Sequence, residues 1–193
     1  MDRANEYDRG NAARAIVPVI PGNANMATTA QKLRRRLIRN FETIERTLER
    51  RDPLYETLCA RLALGTAATK LGVSIDIVPP GKRACPYHFH YAQEEVFIVL
   101  EGKATLRVAD ELLPLASGDV VFIPAGPDYP HQIINDSDAP LKYLSISTKE
   151  SPEIVEYPDS GKYLTSATRE GDPYGFARMH RDTDDLDYWD GEP

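Results

Sequence analysis

The sequence predicts an all-β domain in the middle of the chain, entered through an arm with a helix and left through an acidic tail. Three observations carry this. Leu, Ile, Val and Phe number 44, and 27 of them lie between Leu62 and Ile146, so the side chains that can build a core are concentrated there. That stretch divides into short runs rich in Val, Ile and aromatic residues, separated by Gly, Pro, Asn and Asp, as in a sandwich or barrel. The last 45 residues hold only five of the 44, too few for a core of their own. The expected divisions are 1–65 for arm and helix, 66–148 for the barrel and 149–193 for the tail.

In chain order, residues 1–27 read as an extended arm. Its apolar stretch Ile16–Pro21 contains prolines, which remove amide donors and confine it to a sheet edge or irregular chain. Thr28 or Thr29 can cap a helix running to about Arg51, with Leu33, Leu37, Phe41, Ile44 and Leu48 as one apolar stripe. Asp52-Pro53 stops it, because the residue before proline is pushed out of the helical region. Leu54–Leu64 reads as a second, shorter helix. Strands are expected at Gly72–Val78, Val96–Leu100, Ala104–Val108, Val120–Ile123, Gln132–Ile134 and Leu141–Ser147.

Composition excludes several function classes. The formal charge of −7 argues against a broad cationic nucleic-acid surface. The longest run of large apolar side chains, Val96–Leu100, is far too short to span a membrane. No basic stretch followed by an apolar one opens the chain, and Cys59 and Cys85 make no disulfide framework, so a reduced, cytoplasmic protein is expected.

The histidines carry the functional signal. His88-Phe89-His90 places two imidazoles on one face of a strand. Glu95 follows within reach of a tight turn, and His131 opens a later strand. Three imidazoles and a carboxylate converging inside a barrel suit a divalent first-row transition metal: Mn, Fe, Co, Ni or Zn.

The spacing around these residues is more specific. The chain runs Gly81-x6-His88-x-His90-x4-Glu95-x6-Gly102, then Gly118-x5-Pro124-x-Gly126-x4-His131-x3-Asn135. It thereby resembles the cupin superfamily, in its small single-barrel (conserved barrel) branch, over Pro79–Thr148. Two departures, one extra residue before His88 and two between Gly126 and His131, fall in loops. The resemblance implies a double-stranded β-helix (jelly-roll) barrel, with His88, His90, Glu95 and His131 as metal ligands. It also implies a homodimer, since cupins commonly pair.

Parity extends the reading. If Glu95 points inward, so do Phe97 and Val99, while Val96, Ile98 and Leu100 face outward; Ile133 follows His131 inward. Tyr87, Tyr91 and Tyr129 flank the ligands, and with Phe97 and Ile133 they form the expected substrate pocket. Arg83, Lys103 and Arg107 are the nearest cations for an anionic substrate. Cys85 is either a packed, inert thiol or a thiolate ligand, and His180 reads as a surface residue. Lys32–Arg51 nets +5 and His180–Pro193 nets −5, so the tail could lie across the basic helix of its own or a neighbouring subunit, anchored by Tyr188 and Trp189. The expected function is a metal-dependent enzyme acting on a small polar metabolite, by dioxygenation, decarboxylation, isomerisation or lyase chemistry. The alternative is a non-catalytic metal or small-ligand binding module, with no nucleic acid or membrane partner in either case.

Overall fold

A computed structural model describes residues 27–169, 172–181 and 186–192. Of the expected arm, residues 1–27, only Ala27 is among them, and part of the acidic tail lies outside them as well. Helix α1 (Thr29–Leu37) begins where the sequence suggested, with Thr28 and Gln31 exchanging side-chain to backbone hydrogen bonds in a capping box. It ends at Leu37 rather than near Arg51. Ile38 is extended, and the Arg39 guanidinium donates to the carbonyls of Leu64 and Gly65, drawing the chain toward the barrel. The Asn40 side chain then accepts from the Glu42 amide and closes a turn. Phe41 and Ile44 pack beside Ala60, Leu62 and Ile75, while Leu33, Leu37 and Leu48 are exposed. The helical spacing of these residues was therefore spread over a helix, a turn and a strand.

That strand is β1 (Thr47–Arg51), paired antiparallel with β2 (Tyr55–Arg61). Leu54–Leu64 is thus strand and turn, not a second helix. Its β2 residues Thr57 and Ala60 are buried against β3 (Leu71–Val78), where ladder pairing outweighs helical propensity. The barrel continues through β4 (Phe89–His90), β5 (Glu95–Glu101), β6 (Lys103–Val108), β7 (Glu111–Ala116), β8 (Val120–Ile123), β9 (His131–Ile134) and β10 (Leu141–Thr148). Residues 149–181 do not trail away: they include β11 (Glu153–Tyr157), β12 (Lys162–Arg169) and β13 (Asp172–Arg181). These last strands need little apolar content, because β11 draws on the barrel through β4 and Val155 is its buried apolar residue.

Three antiparallel sheets result, ordered β1-β2-β3-β10-β5-β8, β13-β12-β11-β4 and β7-β6-β9. They enclose a core that includes Val78, Phe97, Val99, Leu106, Ile133 and Leu141. On β5, Glu95, Phe97 and Val99 are buried and Val96, Ile98 and Leu100 half-buried, the alternation parity predicts. The β6–β7 hairpin closes through Ala109 and Asp110, both at positive φ, which matches the twist of a two-residue turn. Between β5 and β6, Gly102 sits at φ +90 with the Pro140 carbonyl where a Cβ would fall, 2.6 Å away. Any side chain there would collide with backbone.

Asn135, fully buried, ties the second motif to the barrel. Its amide donates to the carbonyls of Val78 (2.8 Å) and Ala139 (2.9 Å), and its Oδ1 accepts from the Ser137 amide and hydroxyl. Replacement by Ala takes this donor from the buried Val78 carbonyl, while the exposed Ala139 carbonyl keeps the Ser137 hydroxyl, and Asn135→Ala is expected to cost about 2 kcal/mol, measured by urea unfolding.

Within one chain, the aromatic residues expected to anchor the tail are not buried against α1. Tyr188 and Trp189 pack against each other at 4.8 Å and stay 83% and 69% exposed. His180 lies on β13, stacked on Tyr163 across the hairpin. Among the described residues, no helix is long and apolar enough to cross a membrane.

Candidate metal centre

The two motifs meet through backbone. His88 and His131 form an isolated antiparallel bridge, each amide donating to the other's carbonyl at 3.1 and 2.8 Å. This holds the start of β9 beside the His-x-His segment, with the rings of His88 and His131 4.7 Å apart and those of His88 and His90 5.1 Å apart. Glu95, first residue of β5, points at all three. Its Oε2 lies 3.8, 3.6 and 2.9 Å from the Nε2 atoms of His88, His90 and His131. Ligand atoms of His88, His90 and Glu95 all fall within 4.8 Å of one another, a group that could hold a metal.

Hydrogen bonding fixes which ring nitrogen is free. His88 Nδ1 lies 2.8 Å from the Pro86 carbonyl and His131 Nδ1 lies 3.2 Å from the Tyr129 carbonyl. A carbonyl only accepts, so Nδ1 carries the proton in both rings and Nε2 presents a lone pair. His131 Nε2 thus faces Glu95 Oε2, acceptor against acceptor, and both atoms are buried without a hydrogen-bond partner. A cation between them satisfies both, so the residues fit a divalent ion with nitrogen-rich ligands.

Electrostatics agree with that assignment. Burial, and then the neighbouring His131 imidazole, push His88 down to about 4, so it is neutral at pH 7. Burial acts to raise Glu95, but the surrounding imidazoles more than offset it and hold the carboxyl below its ordinary value. Neutral imidazole and ionised carboxylate are the forms that ligate metals.

A cavity of about 270 Å³ opens beside His88, Glu95 and Phe97. Of the five expected pocket residues, Phe97 alone lines it. Tyr87 is buried beneath the Arg107 guanidinium, 3.8 Å from its ring centroid. Tyr91 and Tyr129 turn outward, 47% and 46% exposed, and Ile133 fills the core. The expected cations do not line this cavity: Arg107 is paired with Asp159, Arg83 donates to Gln132, and Lys103 is exposed on β6. Arg61 lines the cavity instead.

Cys85 also lines the cavity, with Sγ 4.0 Å from Nδ1 of His88, the nitrogen turned away from Glu95. Without a metal, burial pushes its thiol up to about 12 and keeps it protonated, and its Sγ faces the nitrogen of His88 that points away from the cluster. Cys59 is likewise pushed up to about 12, by burial and then by Asp76.

Two further carboxylates that sequence reasoning missed line the cavity, the exposed Glu49 on β1 and the buried Asp76 on β3. Asp76 on β3 is 6% exposed; its Oδ1 accepts from Thr57 Oγ1 (3.0 Å) and its Oδ2 from Ser74 Oγ (2.9 Å). Burial raises its pKa, and the hydroxyl hydrogen bonds only partly offset this. The signal was present: an acid between Ile75 and Ile77 in a strand packed on both faces has to face something polar.

The family model for the cupin domain matches residues 74–147. An uncharacterized protein of Methanocaldococcus jannaschii is 37% identical over 84 residues, which cover 42% of this chain and 65% of that relative. A crystal structure of a putative sugar phosphate isomerase from Acidithiobacillus ferrooxidans is similar over 80% of this chain and 98% of that one, with 25% identity and a TM-score of 0.67. A cupin sugar phosphate isomerase from Silicibacter pomeroyi is similar over 75% and 92%, with 25% identity and a TM-score of 0.62. Barrel, both motifs and these likenesses agree: residues 74–147 form a cupin domain, a single barrel within this chain.

Proposed function

We propose that this protein is a metal-dependent enzyme that moves a proton on a small hydroxy-carbonyl metabolite, an isomerase of the aldose–ketose kind. The observation that carries the reading is one cavity that brings together two buried, differently arranged acids, Glu95 among three histidines and Asp76 between two hydroxyls. His88, His90, Glu95 and His131 would hold the ion. Bound there, a divalent metal would act as a Lewis acid on a carbonyl or hydroxyl oxygen.

The remaining work falls to the chain. Asp76 has a hydroxyl donor on each oxygen and no cation among its hydrogen-bond partners, so it keeps a lone pair free to take a proton from a carbon beside the carbonyl. Burial brings its pKa toward the working range of a general base, and the same group can return the proton to the neighbouring carbon. Tyr143, held as a phenol by burial, and Phe97 narrow the cavity and limit water. Arg61, 63% exposed at its side chain and 3.9 Å from Glu49, is the cavity's arginine, and an anionic substrate group would compete with Glu49 for it. The sugar phosphate isomerase names of two similar structures support phosphorylated aldoses and ketoses as the first class to test.

The test is proton exchange. Metal-loaded protein incubated in D₂O with pentose and hexose phosphates should place deuterium beside the carbonyl of at least one, read by NMR. No exchange and no interconversion across that set, with metal bound, would leave the protein a binding module.

We propose further that the enzyme is a cytoplasmic homodimer. Val120 and Phe122 on the edge strand β8 are 45% and 73% exposed, an apolar edge that a second copy can cover. Light scattering should return twice 21.6 kDa; a monomer mass would refute the pairing.

A further inference from the structure

We infer that strand β11, outside the region matched by the family model, is part of the metal centre, with Glu153 as the positioning residue of His90. The inference rests on the metal reading above and extends it to a segment that sequence composition assigned to a tail.

The three histidines are not anchored alike. His88 and His131 each find a carbonyl two residues back, Pro86 and Tyr129, for Nδ1. The equivalent carbonyl for His90 belongs to His88, and it already accepts the amide of His131 in the bridge that joins the two motifs. His90 Nδ1 is accordingly buried without a hydrogen-bond partner.

What faces it is Glu153. Strand β11 pairs with β4 so that Val155 lies opposite His90, and this register brings Glu153, 4% exposed, alongside the ring. Glu153 Oε1 accepts from the amides of Tyr91 and Ala92 at 3.1 and 3.3 Å, which fixes the carboxylate. Oε2 is left over, buried and unpartnered, 3.8 Å from His90 Nδ1. Two orphaned buried atoms, one able to donate and the other only to accept, face each other across a short gap. A proton on Nδ1 directed at Oε2 satisfies both, and leaves Nε2 of His90 as a lone pair on the side of Glu95. The anionic partner also makes the imidazole a stronger donor. From the same strand, Tyr157 stacks on His88 with ring centroids 6.1 Å apart.

Glu153→Gln separates this role from a structural one. The two amides from Tyr91 and Ala92 are donors, so the Gln carbonyl oxygen must take the Oε1 place and its NH₂ the Oε2 place. The cap on the Tyr91–Ala92 turn survives. The NH₂, however, can only donate to His90 Nδ1, which drives the ring proton onto Nε2 and removes the ligand lone pair. Glu156→Gln, on the same strand and bonded to the Tyr91 hydroxyl, is the control.

The experiment titrates metal-free wild type, Glu153→Gln and Glu156→Gln with Co²⁺, following visible absorption and heat, with the metal-free melting temperature recorded for each. The expected result is about 10–100-fold weaker Co²⁺ binding and an altered visible band for Glu153→Gln. Its metal-free melting temperature should stay near the wild-type value, and Glu156→Gln should match wild type throughout. Equal affinity and an identical band in Glu153→Gln and wild type would overturn the proposal and reduce Glu153 to a turn cap. A wild-type chain that takes up no Co²⁺ would overturn the metal centre itself, and this role of Glu153 with it.

Discussion

Asp76→Asn is expected to keep its metal and lose its chemistry. The substitution preserves shape and can still accept a hydroxyl hydrogen bond on Oδ1, so β2 and β3 should stay paired. It removes the group that can take a proton. Loss of a general base typically costs about 10²–10⁴-fold in turnover, and deuterium exchange into the substrate should fall by the same factor. The metal content, set by residues on other strands, should not change. A variant with wild-type exchange would remove Asp76 from the mechanism and leave the proton transfer without a base. A variant that lost metal as well would show that Asp76 acts on the ion's side of the cavity.

Ala at His88 or His131 is expected to empty the metal centre. Glu95 Oε2 is buried among three imidazoles, and its nearest neighbour is His131 at 2.9 Å. Without that ring, the site loses a nitrogen donor, and the carboxylate keeps its burial with less to compensate it. The loss in affinity should exceed the ~10–100-fold cost of removing a group that only orients a ligand. Because His88 and His131 are bridged through backbone atoms, the strands can remain joined in both variants. Circular dichroism checks that the fold persists, and elemental analysis then reads the loss of metal. Retention of a full equivalent by either variant would take that histidine out of the ligand set.

The part of the fold legible in the sequence was the part with strong alternation and strong turns. On β5, a buried carboxylate and two apolar residues alternate with half-buried ones, and the Gly102 turn that follows admits no side chain. The N-terminal third misled because Leu33, Leu37, Phe41, Ile44 and Leu48 fall at helical spacing by coincidence. What ended the helix was the reach of Arg39 to the carbonyls of Leu64 and Gly65, a contact between residues 25 and 26 apart. No local pattern contains it. The tail misled for the opposite reason. Residues 153–157 have too few apolar side chains to form a core, yet they borrow one by pairing with β4.

The site divides the same way. His88, His90, Glu95 and His131 could be named because a motif fixes their spacing, and the structure brings their ring nitrogens and carboxylate together. Asp76 and Glu153 stand outside both motifs and reach the site only through strand pairing, so spacing could not find them. Tyr91 and Tyr129 were plausible by proximity in sequence, but their neighbours turn inward and leave them on the outer surface.

The central claim is that the four-residue cluster in the barrel holds a divalent transition metal. The most direct test is to purify the chain without a histidine tag, measure bound metals by plasma mass spectrometry, and repeat this after reconstitution with Mn, Fe, Co, Ni and Zn in turn. About one equivalent per chain, absent from His88→Ala and His131→Ala, is the predicted result, and the identity of the ion selects the chemistry to assay. No stoichiometric metal under any of these conditions would contradict the account and leave a cupin barrel that binds small ligands without one.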